Sequence, residues 1–307
     1  MANAKEIKSH IKSVKDTQKI TNAMYLIAST KMRKAKADLD RTRPYFNELQ
    51  TEIKRIFRNV KKVDSRYFYP EEGMPELKGP YAALVITADK GLAGMYNQNV
   101  IKEAEKLFYA HKDTKLFIVG EYGRRYFEHR NIPIEQSFLY TAQNPTMQRA
   151  REITQVLLSL YDKGEVQKIY VIYTDIKNGM FESVINFRLL PFHKNTFSLS
   201  GNDNNSGENP FEFSPNVKNV LDNIIPSYIS GYIYSALIDS FCSEQSSRMN
   251  AMNSANQNAQ EILNDLSVEY NRLRQASITQ EITEVSSGAK AQRKSKTKNR
   301  GRKAEIQ

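Results

Sequence analysis

The sequence predicts an α/β protein: long N- and C-terminal helices pair as an antiparallel coiled coil, and a Rossmann-like α/β domain lies between them in the chain. Three observations carry this. Residues 3 to about 57 contain no Gly and one Pro, Pro44. Residues 60–215 change texture and alternate apolar runs with helical segments. From residue 216 the helical pattern returns and holds to about residue 288.

The first segment, residues 1–59, places Ile7, Ile11, Val14, Thr21, Met24, Ala28, Met32, Ala35 and Leu39 mostly three or four apart, the spacing of one helix face. A helix of that length reaches on the order of 80 Å. That is too long to stand alone, so it needs a helical partner, and Pro44 is the expected kink. The middle segment, residues 60–215, begins with a Pro- and Gly-rich loop. YAALVIT (81–87), KLFIV (115–119) and KIYVIY (168–173) then read as buried strands. Helical segments are expected near 96–109, 121–129 and 145–163, and such alternation argues for a parallel sheet with helices on its faces. SVINFRLL (183–190) alternates apolar and polar residues and is a candidate edge strand. Residues 194–215, with GNDNNSGENP, read as a surface loop.

The last helical segment, residues 216–288, is interrupted by Pro226 and carries the stripe Ala251, Ala255, Ala259, Ile262, Leu266, Tyr270, Leu273. Small residues along its first half suit close helix approach. Residues 289–307 read as a basic, disordered tail.

Composition narrows the function classes. The net charge is +11, and the mean hydropathy of −0.60 suits long exposed helices. Residues 290–307 hold eight Lys or Arg against Glu305, a net +7, and residues 1–43 hold eleven against four acids, again +7. Two basic ends on a mildly acidic middle call for an acidic partner. No apolar run is long enough to span a membrane, and the N-terminus has no apolar signal core. The single cysteine, Cys242, forms no internal disulfide and reads as a small buried hydrophobe. His10, His111, His129 and His193 show no metal-ligand spacing, and no catalytic triad pattern is present. Asp89, Lys90, Gly91 and Gly94 follow a strand, where a Gly-rich turn can cradle phosphate. The run fits neither nucleotide-binding pattern, and it reads instead as a tight turn.

Three motifs carry a resemblance. Residues 7–35, IKSHIKSVKDTQKITNAMYLIASTKMRKA, are similar to the opening of F-type ATP synthase gamma subunits at Ile11, Ser13, Val14, Thr17, Ile20, Thr21, Ala23, Met24, Lys31, Met32 and Ala35. Residues 87–94, TADKGLAG, resemble the middle motif of that family. Residues 243–289 resemble its C-terminal helix through SEQSSRMNAM and RQASITQEITE. The matches stand in order and cover nearly the whole chain.

The resemblance implies the bacterial-type central rotor shaft: a non-catalytic subunit with no cofactor. Its partners would be the alpha and beta subunits, one shaft per three-plus-three hexamer, together with the epsilon subunit and the c-subunit ring. Proton flow through the ring would drive ATP synthesis, and the chain would lie peripherally on the cytoplasmic side of the inner membrane. Arg274, Gln275 and Thr279 match the segment that contacts a beta-subunit loop. Met24, Arg248 and Glu284 match the rotation-sensitive surface toward beta, and Lys31 and Arg33 would face acidic beta loops. The bland reading of each is a solvated helix face, where exposed ion pairs contribute about 0–1 kcal/mol. The basic tail departs from the family pattern, which ends soon after the residues matching 286–289. Two rivals stand beside this reading. A nucleic-acid-binding coiled coil draws on the basic ends, yet no nucleic-acid module is present and no such partner is expected. An α/β enzyme with helical arms would need a catalytic constellation, and none is visible.

Overall fold

The computed structural model describes residues 4–59, 65–68, 79–139, 142–177, 181–192, 214 and 216–304. The elements are α1 (Ala4–Asn59), β1 (Tyr81–Ile86), α2 (Tyr96–Ala110), β2 (Thr114–Val119), α3 (Glu121–His129), β3 (Ile134–Phe138), α4 (Met147–Asp162), β4 (Lys168–Lys177), β5 (Phe181–Leu190) and α5 (Val217–Ala304). They form two compact units, one of Met1–Met24 with Met252–Gln307, the other of Tyr25–Ala251.

The larger unit is built on a five-stranded sheet in the order β3-β2-β1-β4-β5. β1 pairs parallel with β2 and β4, β2 pairs parallel with β3, and β5 closes one edge antiparallel to β4. All six residues of YAALVI in β1 are buried, as a strand covered on both faces requires. Successive side chains take opposite faces. Tyr81, Ala83 and Val85 join Leu116 and Ile118 of β2 against Val100, Ile101, Ala104 and Leu107 of α2 and Phe127 of α3. Ala82, Leu84 and Ile86 join Phe117 and Val119 in the opposite core, with Ile153 and Leu157 of α4, Ile53 and Ile56 of α1, and Ile229, Ile233, Leu237 and Phe241 of α5. Between residues 229 and 245 nearly every position of α5 is buried, because the sheet and α1 both cover it. Ser240 and Ser243 bring its backbone against β4: the Thr174 N–H donates to Ser240 Oγ at 3.4 Å, and the Ser243 hydroxyl donates to the Thr174 carbonyl at 3.2 Å.

Within this unit α1 and α5 run antiparallel. Phe46 meets Tyr234 at 6.4 Å between ring centroids, and Cys242 Sγ lies 4.0 Å from the Met32 carbonyl, so numbers fall on one helix as they rise on the other. Gly231 makes the first contact possible, since a Cβ there would enter the Phe46 ring. Gly231→Ala is therefore expected to lose up to about 2 kcal/mol net: overpacking costs about 1–3 kcal/mol, and the helix-propensity gain of about 1 kcal/mol offsets part of it. Thermal unfolding followed by far-UV circular dichroism checks this, and a raised midpoint, as helix propensity alone would give, would contradict the packing.

In the smaller unit, Ile7 of α1 and Met252, Ala259 and Leu263 of α5 are buried. Gln18 Nε2 donates to the Asn256 carbonyl at 3.5 Å and to Gln260 Oε1 at 3.4 Å, and the Thr21 hydroxyl meets Asn256 Oδ1. These contacts again order the two helices antiparallel. Along α1, positions 4, 7, 11, 14, 18, 21, 25, 28, 32, 35, 39, 42, 46, 49, 53 and 56 are all buried or half-buried, with steps alternating three and four. That is the seven-residue repeat of supercoiled helices, with a polar layer at Gln18, Thr21 and Asn256 that favours one register.

The α/β expectation with antiparallel end helices is borne out. Several particulars differ. α5 is not interrupted at Pro226 and does not give way to a disordered tail at residue 289; it continues through Ala304. No Pro follows Pro226, and Ala, Lys, Arg and Gln dominate residues 289–294, all strong helix formers. β3 was not expected, because IEQSF carries polar residues at its centre. On the α5 stripe Leu263 is buried at 5% exposure while Ile262 is 45% exposed, so the seam steps by four from Ala259. The expected loops at 60–80 and 194–215 lie largely outside the described residues.

Candidate partner-binding surface

The turn after β1 leads into a crevice of about 840 Å³ lined by Asp89, Lys90, Gly91, Glu121, Tyr122 and Arg124 among others. Its position, at the carboxyl ends of β1 and β2, is where doubly wound sheets bind ligands. Here the chain fills the anion position itself. Asp89 Oδ1 accepts from the Glu121 N–H at 3.0 Å, the Ala88 carbonyl from Tyr122 N–H at 3.0 Å, and Thr87 Oγ1 from Gly123 N–H at 3.1 Å. Gly120, at φ 95°, abuts the Thr87 and Ala88 carbonyls, where a Cβ would collide. Two of the crevice cations, Arg124 and Arg125, are paired with carboxylates as well. Arg124 reaches Glu121 at 2.5 Å and Glu128 at 2.7 Å, and Arg125 reaches Glu121 at 2.8 Å. Those guanidinium hydrogen bonds hold the Glu121 carboxyl at about 2. The tight-turn reading of residues 89–94 fits this geometry, which leaves no free phosphate cradle.

Arg248 links this turn to α5. Its guanidinium pairs with Glu244 at 2.5 Å and donates to the Gly91 carbonyl at 3.2 Å. The Arg248 and Glu244 side chains are only 12% and 8% exposed. Burial pushes the Glu244 carboxyl above its ordinary range, and it outweighs the opposing pull of Arg248. Sequence reasoning put Arg248 on a partner-facing surface; in this chain it faces the turn after β1.

A half-buried carboxylate, Asp239 of α5, lies near Asp175 of β4. Asp239 is pushed up to about 6, first by burial and then by Asp175, with Arg43 opposing. The folded group binds its proton more tightly than the unfolded chain, whose ordinary value is 3.8. Its contribution to stability therefore falls as pH rises from about 4 to about 6. Asp239→Asn is expected to flatten that fall and to add about 1–3 kcal/mol at pH 7.5. Denaturant midpoints at pH 5 and pH 7.5 test it; an equal midpoint shift at both pH values would contradict the assignment. Nearby Cys242 is pushed up to about 12 by burial, which leaves its thiol protonated and inert.

The other residues singled out in the sequence lie along the helices. Met24 is half-buried, and Lys31 and Arg33 are exposed. Arg274, Gln275, Thr279 and Glu284 are all exposed on α5. The Thr279 hydroxyl donates to the Gln275 carbonyl at 2.9 Å, and Glu284 accepts from Gln280 at 2.9 Å. The structure thus brings Arg274, Gln275, Thr279 and Glu284 into one stretch of α5 and sets Arg248 apart from them. Sequence reasoning missed the apolar members of that stretch: Ile278, Ile282 and Val285 are 46%, 63% and 74% exposed. Their steps of four and three were the available signal. Among the described residues no helix is long and apolar enough to cross a membrane, and no group of His, Cys, Asp or Glu could hold a metal ion.

A family model described as ATP synthase matches residues 3–292. The chain is 42% identical over 292 residues to the ATP synthase gamma chain of Caldanaerobacter subterraneus subsp. tengcongensis, covering 93% of this chain and 98% of that one. It is 35% identical over 302 residues to the "ATP synthase gamma chain, sodium ion specific" of Acetobacterium woodii, covering 94% and 98%. Among solved structures it resembles a chain of the Euglena gracilis mitochondrial ATP synthase with a TM-score of 0.64 at 13% identity, covering 94% of each chain. A chain of the Tetrahymena thermophila central stalk and c-ring aligns with a TM-score of 0.57 at 24% identity, covering 77% of this chain and 99% of that one. At those identities the two structures bear on the fold alone.

Proposed function

Because the chain belongs to the ATP synthase gamma-chain family, we propose that it is the central shaft whose rotation couples proton flow through a c-subunit ring to ATP synthesis and hydrolysis on a hexamer of alpha and beta subunits. The gamma chain is a non-catalytic stalk subunit, and the bond chemistry belongs to the beta subunits. The observation that carries the reading is the exposed stretch of α5 around residues 274–285. Ile278, Ile282 and Val285 form an apolar stripe on a helix whose polar neighbours are Arg274, Gln275, Thr279 and Glu284. An exposed apolar stripe rimmed by polar residues is the mark of a protein-binding face.

Each beta subunit would meet a different face of the shaft at a given moment. A partner's equilibrium moves only through such differential contacts. Met24, Lys31, Arg33 and Arg248 complete the proposed beta-facing set; for Arg248 this role needs release from Glu244 and Gly91. The α/β unit would carry the epsilon and c-ring contacts. The chain would lie on the cytoplasmic face of a bacterial inner membrane through its complex. Proton coupling is part of the proposal, since the Acetobacterium woodii relative is named sodium ion specific. Pumping by the assembled enzyme with and without sodium decides the ion.

Gln275→Ala combined with Thr279→Ala is expected to lower coupled ATP hydrolysis about tenfold, since two partner hydrogen bonds contribute about 0.5–1.5 kcal/mol each. The comparison is Asn204→Ala with Asn205→Ala in the same assembled complex. Equal activity of the two double variants would remove these residues from the coupling surface.

A further inference from the structure

Two motifs far apart in sequence, TADKGLAG (87–94) and SEQSSRMNAM (243–252), meet at Arg248. Its guanidinium spans from Glu244 on α5 to the Gly91 carbonyl in the turn after β1. Asp89, two residues before Gly91, acts on Glu244 as a like charge. The Asp89 carboxylate is satisfied on one side only. Oδ1 accepts from the Glu121 N–H at 3.0 Å, whereas Oδ2 is buried and accepts no hydrogen bond among the described residues. A buried carboxylate oxygen without a donor is costly. The charges do not balance either. Asp89 and Glu244 bring two carboxylates to the one largely buried guanidinium of Arg248. Lys31 of α1 also acts on Glu244, but it is exposed, and water screens it. One proton on Glu244 would cancel the excess negative charge and supply the donor that Asp89 Oδ2 lacks.

We propose that Glu244 carries a proton and donates a hydrogen bond through it to Asp89 Oδ2, so that a shared proton latches α5 to the turn after β1. The latch is sensitive to pH. Burial gives Glu244 a tighter hold on its proton in the folded chain than in the unfolded one. The latch is therefore closed at low pH and opens as pH rises through the folded value. Once the proton leaves, the two carboxylates repel beside Arg248, and the turn that presents exposed Leu92 and Met95 loosens. The opening stays local, because Asn97 holds the turn by bonds that do not titrate. Its Oδ1 accepts from the Ala88 N–H at 2.9 Å, and its Nδ2 donates to the Lys90 carbonyl at 3.5 Å. Opening would also release Arg248 toward a partner; that consequence rests on the rotor reading above, whereas the latch itself does not.

Amide hydrogen exchange of the turn, followed in the full chain from about pH 5 to about pH 9, tests the latch. The parent is compared at each pH with Glu244→Gln, whose side-chain amide donates to Asp89 at every pH. At the acid end the two are expected to exchange alike. At the alkaline end the parent turn is expected to exchange about tenfold faster. Equal exchange throughout overturns the proposal, and so does a difference that stays constant with pH. Asp89→Asn removes the repulsion, so a surviving pH dependence of the turn in that variant also overturns it. Infrared spectra of the unmutated chain with 13C-labelled glutamate decide the matter even if neither variant folds. One Glu carboxyl of the folded chain must keep its proton at a pH where the urea-unfolded chain has lost all of its own. If the folded and unfolded chains ionise together, no latch exists. Each measurement uses this chain by itself, so failure of the latch is distinct from failure of the rotor reading.

Discussion

Arg248→Ala is expected to destabilise the Tyr25–Ala251 unit by about 3–5 kcal/mol, the cost of stranding one member of a buried ion pair. The stranded group is Glu244, at 6% residue exposure, whose carboxyl is already raised by burial with Arg248 present. Removing the guanidinium also frees the Gly91 carbonyl that it holds at 3.2 Å. The turn after β1 would then lose its tie to α5. Glu244→Gln in the Arg248→Ala background removes the uncompensated charge and should recover a large part of the loss. Denaturant unfolding followed by the near-ultraviolet tyrosine signal reads both, since the chain has seventeen Tyr and no Trp. If the single and double variants unfold at the same midpoint, the pair does not hold the turn.

The second large effect lies on the assembled enzyme. Ile278→Asp with Ile282→Asp is expected to weaken retention of the shaft in the hexamer by about a hundredfold or more, because each side chain buried on assembly contributes about 1.5–3 kcal/mol. In the free chain both side chains are largely exposed, at 46% and 63%, so the isolated variant should unfold like the parent. Loss of retention with unchanged stability separates an interface from a core. Unchanged retention would mean that this stripe faces solvent in the complex as well.

The fold was legible wherever burial is two-sided or strictly periodic. YAALVI is apolar throughout and KLFIV is apolar after Lys115, because helices cover both faces of those strands, and their positions were readable directly. The two end helices were readable from three-four spacing. What sequence hid was set by tertiary context. IEQSF forms β3 because β2 offers it a parallel edge, not because its own residues alternate. The sequence EIL allows either Ile262 or Leu263 on the seam, and the partner helix selects Leu263. Pro226 reads as an interruption, yet packing of α5 on the sheet and α1 carries the helix through it.

The candidate surface divides in the same way. Arg274, Gln275, Thr279 and Glu284 were found by motif, and they lie exposed on one helix. Arg248 was found through the separate SEQSSRMNAM motif, but its spacing of four from Glu244 gave no hint of how deeply the pair is buried. Asp239 carried no signal, because its shifted affinity for a proton arises from burial in the folded chain and, after that, from Asp175 on a strand distant in sequence.

The most direct test of the central claim is observation of single complexes assembled from this chain and its own alpha and beta subunits, with a filament attached to the α/β unit and ATP supplied. The shaft reading predicts that the filament turns continuously in one sense, with one copy of the chain in each complex. A filament that stays still while the same complexes hydrolyse ATP at the full rate would contradict it.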